Sequence, residues 1–219
     1  FYGLMADGLY QSNDFNVDGT LRPGLPVSTY RSNVQPGDVK YVDLNGDGRI
    51  DANDCAYQLY AALPQIYYGF NIELEWRGFG LNAYFQGMGR STVTTTLASI
   101  YQPLYGNERN ISEHYMENRW SPYNTSGHYP RLTTQSNANN FAPSSLWTEC
   151  GDFLKLRTLS LSYKLPARLA SKIRMRECCL YLKGMNLFSA DRIDILDPEY
   201  INTGYPSARS YQIGFNLIF

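Results

Sequence analysis

The chain has 219 residues, a formal net charge of −1, only 18% charged residues, and an abundance of tyrosine (19) and glycine (18). Near-neutral charge gives no electrostatic case for nucleic-acid binding, and this hydrophobicity without high net charge disfavours disorder. No apolar run approaches the ~20 residues of a spanning helix, which excludes a helical membrane protein, whereas a spanning β-barrel needs only short, half-apolar strands.

The opening "FYGLMADGLY" has no initiator Met, no charged leader and no small-residue cleavage site, so the sequence is expected to be a piece of something longer. Residues 10–65 read as a long connection, and within it 43–54, "DLNGDGRIDAND", has the spacing of a calcium loop. Counted from Asp43, oxygens of Asp43, Asn45, Asp47, Asp51 and Asp54 and the backbone carbonyl of Arg49 would converge, because Gly48 permits the sharp turn. A hard ion suits this oxygen set, Ca²⁺ better than Mg²⁺, which resists dehydration. Asp54 is shorter than the usual Glu, so closure by both its oxygens is less assured. No pair of long amphipathic helices flanks the loop, so a sensor-type opening is not expected. The ion would instead staple an exposed segment. The competing reading is an Asp/Asn/Gly turn held by its own hydrogen bonds.

Period-2 alternation dominates the chain from residue 66 onward. In 66–76, Tyr68, Phe70, Ile72, Leu74 and Trp76 share one face and Gly69, Asn71, Glu73 and Glu75 the other. After a tight "WRGFG" hairpin, 79–87 repeats the pattern with Phe79, Leu81, Ala83 and Phe85. A long Ser/Thr/Asn/Tyr-rich connection spans 89–150, and a strand over 152–164 comes next, with Leu159, Leu161 and Tyr163 in phase. "ARLASKI" after Pro166 has room for one or two helical turns. A muddier strand covers 177–187, and 209–219 closes with Tyr211, Ile213, Phe215, Leu217 and Phe219 in phase. These are half-buried antiparallel strands.

Two all-β architectures fit: a soluble sandwich, with the apolar face on a second sheet, and a transmembrane barrel, with that face on lipid and the polar face on a wet lumen. Aromatics near strand ends (Tyr67, Tyr68, Trp76, Tyr163, Tyr211), Glu73 and Glu75 on the opposite face, and the inequality of the connections favour the barrel. Cys55, Cys150, Cys178 and Cys179 form no CxxC pattern, so packed, unpaired thiols are expected.

No catalytic constellation stands out. His114 and His128 lie in a polar connection without a specified nucleophile–base pair, and Glu73 with Glu75 suits a lumen wall better than a glycosidase pair. The candidates for solute contact are Tyr101, Tyr105, Trp120, Tyr123, Tyr129 and Trp147, whose faces would stack on sugars or peptide groups. Packing of the loop on itself is the alternative use of the same rings.

Several blocks, in order, resemble SusC/RagA-type TonB-dependent outer-membrane transporters of the Bacteroidetes. They are "GDVKYVDLNGDGRIDANDC", "PQIYYGFNIELEWRGFGLNAYFQG", "NRWSPYN" with "YPRL", "GDFLKLRTLSLSYKLP", "GMNLF", "DPEY" and "YPSARSYQIGFNLIF". The resemblance covers nearly the whole chain as the C-terminal part of such a protein. It implies a barrel of about 22 strands with a plug and TonB box that are absent here. It also implies import of oligosaccharide or peptide with a SusD-like surface lipoprotein, energised by TonB. The linker "CAYQLYAALP" and the cysteines depart from the pattern.

If the last strand ends in the periplasm, as in bacterial barrels, parity places 10–65, 89–150 and 188–208 outside the cell and 165–176 and "WRGFG" in the periplasm. Two other classes compete with a non-enzymatic transporter segment. One is a secreted calcium-binding, glycan-binding or dockerin-like module, which would carry paired loops on helices. The other is a secreted β-sandwich hydrolase.

Overall fold

The computed structural model describes residues 1–193, 197–200, 205 and 207–219. The chain forms two compact units, one from 1–62 and 92–149, the other from the described residues of 63–91 and 150–219. Strands predominate, with two short helices, α1 (Glu113–Asn118) and α2 (Ala167–Lys172). Among the described residues no helix is long and apolar enough to cross a membrane, which says nothing of strands.

The second unit is a five-stranded sheet of β1 (Ile66–Trp76), β2 (Phe79–Gly89), β3 (Phe153–Lys164), β4 (Glu177–Asp191) and β5 (Ser210–Ile218). Each strand pairs antiparallel with its neighbour in sequence. In such a meander the connections alternate between ends. Arg77–Gly78 and 165–176 therefore sit at one end, and all the long connections leave from the other. The hairpin is tight because Arg77 (φ 48°) and Gly78 (φ 88°) both take positive φ, the two-residue turn whose twist matches the strands. A Cβ on Gly78 would stand 2.7 Å from the Lys164 carbonyl oxygen, so glycine also lets β3 approach the turn.

The register turns the sequence alternation into rows. Trp76, Phe79, Tyr163, Leu180 and Phe215 stand side by side across all the strands, and Leu74, Leu81, Leu161, Leu182 and Ile213 form the next row. Ring contacts run across the strands on this face: Phe79 meets Tyr163 at 4.4 Å within the first row, and Phe70 stacks on Phe85 at 4.8 Å in a further one. The opposite face carries the row Glu73, Asn82, Ser160, Lys183 and Gln212. There the Glu73 carboxylate accepts from the amides of Asn71 (3.0 Å) and Asn82 (2.6 Å).

The strands match the expected ones, with β2 and β4 running further, to Gly89 and Asp191. β3 carries an irregularity that alternation does not announce. Between Leu156 and Thr158 the register shifts, so that two residue steps of β3 face one of β2 and three of β4. This bulge moves the apolar set of β3 from odd to even positions.

The first unit is a finding that alternation could not supply. The connections 10–65 and 89–150 do not stand as separate loops but fold together. Short ladders join Tyr2–Leu4 to Cys55–Tyr57, Ala6–Leu9 to Val39–Tyr41, and Val27–Ser28 to Arg49–Ile50. Leu4, Leu9, Val39, Tyr41, Ile50, Trp120 and Ala142 form a common core. The connection 188–208 lies partly outside the described residues.

Candidate functional site

The 43–54 loop is built of Asx turns. The Asp43 carboxylate accepts from Gly46 and Gly48 N–H (2.7 and 2.8 Å), Asn45 Oδ1 from Asp47 N–H (2.9 Å), and Asp47 Oδ1 from Arg49 N–H (2.8 Å). Gly46 and Gly48 both have positive φ. Arg49–Ile50 is strand and Ala52–Asp54 a single 3-10 turn, with Asp51 as its cap accepting from Asn53 N–H. Asp54 is 0% exposed. Its Oδ1 accepts from Leu44 N–H (2.9 Å) and its Oδ2 from Asp51 N–H (2.8 Å), so both oxygens clasp the loop's own backbone. Asn45 and Asp47 are exposed, and Asp43 is partly so. Among the described residues no three or more His, Cys, Asp or Glu side chains cluster closely enough to hold a metal ion.

The six candidate aromatics divide sharply. Trp147 is 2% exposed, its indole N–H donating to the Asn140 carbonyl at 2.8 Å. Tyr129 is buried and stacked on Tyr115 at 4.6 Å. Trp120 is buried with its N–H on Gln11 Oε1, and Tyr101 packs edge-on against Phe141 and Trp147 while donating to the Phe141 carbonyl. These four build the unit's interior. Only Tyr105, with the Arg109 guanidinium over its ring, and the fully exposed Tyr123 present faces outward. His114 and His128 flank Tyr129 edge-on at 5.7 and 5.0 Å. Desolvation, then the like charge of His114, push the His128 imidazole below its usual value.

At the centre of this unit stands a side chain the sequence did not single out. Asp38 is completely buried; its Oδ1 accepts from Arg131 Nε (2.8 Å), Asn140 Nδ2 (3.0 Å) and Asn137 Nδ2 (3.1 Å), its Oδ2 from Gln35 N–H (2.9 Å). Asn139 and Asn140 bracket Val39, one donating to its carbonyl and the other accepting from its N–H. The Tyr41 hydroxyl donates to the Asn139 carbonyl at 2.6 Å, and burial pushes its pKa up, keeping the proton in place. The signal lay in the "GD" opening the 37–55 block and in "NANN" at 137–140, but asparagine-rich segments read as solvated turns.

On the polar face of the sheet Lys155 is buried between carboxylates. Its ammonium pairs with Asp197 and, at 2.9 Å, with Glu199; Arg157, the residue at the bulge, pairs with Glu199 and donates to Gln86 at 3.0 Å. Register sets Lys155 beside Gln86 and Ser189, away from the apolar rows. The segment Asp197–Tyr200 is thus held to the polar face. Burial alone would raise the carboxyl pKa values of Asp197 and Glu199, but hydrogen bonds from Lys155 and Arg157 outweigh it and lower both.

No protein-family model matches the chain. It is 28% identical over 236 residues to TonB-dependent receptor P3 of Formosa agariphila, covering 100% of this chain and 22% of that protein. It is 28% identical over 210 residues to TonB-dependent receptor P26 of the same organism, covering 89% of this chain and 21% of that protein. Among solved structures, the RagAB peptide importer in its open-open state matches with a TM-score of 0.65 at 19% identity, over 100% of this chain and 22% of that one. A structure of the RagAB peptide transporter matches with a TM-score of 0.61 at 21% identity, over 99% and 22%. The chain thus spans about a fifth of the length of the relatives it matches. The resemblance carried by the sequence blocks holds: the chain is related to the TonB-dependent receptors, in keeping with the C-terminal part of a SusC/RagA-type transporter, and it shares that part's fold.

Proposed function

We propose that this chain forms part of the wall and outer loops of an outer-membrane, TonB-dependent importer, a barrel of about 22 strands. The observation that supports it most is the apolar face of the sheet. Phe70, Ile72, Leu74, Trp76, Phe79, Leu161, Leu180, Leu182, Ile213 and Phe215 are all more than 40% exposed, in contiguous rows. A soluble monomer rarely exposes so continuous a patch, since each such side chain gains about 1.5–3 kcal/mol from leaving water. Eleven residues of β1 reach ~34 Å along the strand, or ~24 Å across a bilayer when tilted by about 45°, the height of a barrel's apolar band.

In this reading the turn end of the sheet faces the periplasm, and the long connections 10–65, 89–150 and 188–208 lie outside the cell. The polar rows line the passage. The solute is an oligosaccharide or peptide admitted with a SusD-like lipoprotein, and energy comes from TonB through parts of the protein beyond this chain; the likeness in fold to RagAB, a peptide importer, favours peptide. No bond chemistry is required of any residue. Deleting the gene for the full-length transporter, and separately that of a SusD-like neighbour, tests it: uptake of labelled peptide or glycan should be lost in both strains, and unchanged uptake of both solutes would contradict it.

The 43–54 loop is a candidate Ca²⁺ staple within that outer region. Oxygens of Asp43, Asn45, Asp47 and Asp51 with the Arg49 carbonyl would supply the shell, and Asp54 would act chiefly as the backbone clasp observed here. The exposed D-x-N-x-D-G spacing favours it, and calcium calorimetry decides it. Strand and 3-10 turn, rather than paired helices, around the loop weigh against a dockerin-like module.

A further inference from the structure

At the turn end of the sheet, exposed cations outnumber the carboxylates of Glu75 and Glu177. The connection 165–176 carries Arg168, Lys172, Arg174 and Arg176, all exposed. Lys164 and Glu177 pair with one another at 2.9 Å, and among the described residues no carboxylate stands within ion-pair distance of the four. On the adjoining hairpin the Arg77 guanidinium lies over the Trp76 ring, 4.9 Å from its centroid.

Helix α2, in the middle of this connection, is built the wrong way round for a solvent-exposed turn. It buries only Ala170 against β4, while Leu169 (49% exposed) and Ile173 (51%), the residue that caps it, each leave about half of their surface in the open. Four positions apart, the two share one side of the helical turn. Arg168 and Lys172 repeat the same spacing one position earlier, so an apolar pair lies beside a cationic pair. Arg174 closes the turn with φ 56° and leads to Arg176, whose N–H is fixed to the Ile218 carbonyl at 2.7 Å. The aromatic row Trp76, Phe79, Tyr163 forms the border of the apolar face at this same end.

We propose that this basic turn is an interfacial anchor that binds anionic phospholipid headgroups. Leu169 and Ile173 would enter the acyl boundary, and Arg168, Lys172, Arg174 and Arg176 would meet the phosphates. A short amphipathic segment with cations around exposed aliphatic side chains is the pattern of membrane-surface binding. The aromatic border supplies the second half of an interfacial site, since such rings sit at headgroup level, and Arg presents donors suited to phosphate. Unpaired cations next to a lipid-facing surface choose the sign of the headgroup as well as its depth. One cation near an anionic surface already favours it about fivefold over a neutral one. The inference rests on the lipid-facing reading of the sheet.

The test uses the full-length transporter and its variant R168Q/K172Q/R174Q/R176Q, each reconstituted in equimolar phosphatidylglycerol and phosphatidylethanolamine. Protein is re-extracted in mild detergent, and the retained lipids are quantified by mass spectrometry. The wild type should retain phosphatidylglycerol at least about fivefold over phosphatidylethanolamine, and the variant should return to the bulk ratio while still inserting. Should the variant not assemble, the wild type alone suffices, because its preference should collapse at ~1 M salt. Equal retention of the two lipids by inserted wild type, or a preference that persists in the inserted variant or at high salt, overturns the anchor and leaves the barrel intact. Failure of the wild type to enter liposomes at all overturns the barrel reading and the anchor with it.

Discussion

Asp38 and Arg131 lie 93 residues apart in sequence, yet Arg131 Nε donates to Asp38 Oδ1 across 2.8 Å, with the carboxylate wholly out of solvent. Removing the anion leaves Arg131, Asn137 and Asn140 without their acceptor in the interior. Asp38→Ala should therefore destabilise the first unit by about 3–5 kcal/mol, with faster proteolysis of 131–140. Arg131→Ala should cost less, because the amides of Asn137 and Asn140 still hold the carboxylate. Limited proteolysis of the two variants in the full-length transporter measures the order; equal resistance to that of wild type would dismiss the hub.

The two faces of the sheet should respond oppositely to charge. Leu161→Arg, in the middle of the apolar rows, is expected to cost about 2–4 kcal/mol if that side meets lipid. Ser160→Arg, one position away on the polar face, should cost less than ~1 kcal/mol. Equilibrium unfolding of the liposome-inserted transporter in denaturant gives both values.

The Asp197–Tyr200 segment should be released by acid. The folded pKa values of Asp197 and Glu199 are lowered from 3.8 and 4.5. Their contribution is complete above those ordinary values and is lost as pH falls below them, through the lowered ones. Lys155→Met should weaken that acid dependence, leaving the part that Arg157 gives Glu199, and also loosen the segment at neutral pH, since Asp197 loses its buried partner. Hydrogen exchange over 197–200 between pH 7 and pH 3 reads both effects.

In the 43–54 loop, metal and clasp can be separated. Asp47→Ala should abolish the heat of calcium binding with little change in stability without the ion. Asp54→Ala should destabilise the loop with or without calcium, since it strips acceptors from the N–H groups of Leu44 and Asp51. Wild-type protein that releases no heat at millimolar calcium would leave the loop as a hydrogen-bonded turn alone.

Among the aromatics, Tyr105→Ala and Tyr123→Ala should reduce uptake without altering stability, whereas Trp147→Ala should cost about 3–5 kcal/mol. Transport assays paired with unfolding midpoints distinguish the groups.

The legible part of the fold is the part that alternation encodes. One apolar and one polar face repeat every second residue, so β1, β2 and β5 were visible at nearly their true bounds, and Arg77–Gly78 announced the hairpin. The shift at Arg157 was not, because an added residue changes the phase without changing composition. Nor could composition tell Trp147 and Tyr129 from Tyr123: an aromatic in a polar stretch reads the same whether it meets solute or its own loop. Asn137, Asn139 and Asn140 were hidden for a related reason, since amide side chains serve a buried carboxylate as well as they serve solvent. The decisive information there is contact across roughly a hundred residues, as between Val39 and Asn140, which local spacing does not carry.

Spin labels placed singly at 212, 213, 215 and 216 of the full-length transporter, in a cysteine-free background within liposomes, ask where each side of β5 points. Labels at 213 and 215 should be relaxed strongly by oxygen dissolved in the lipid and weakly by a water-soluble nickel complex, with the reverse at 212 and 216. Uniform accessibility, or shielding of 213 and 215 from both reagents, would mean that the apolar rows pack on protein and not on acyl chains.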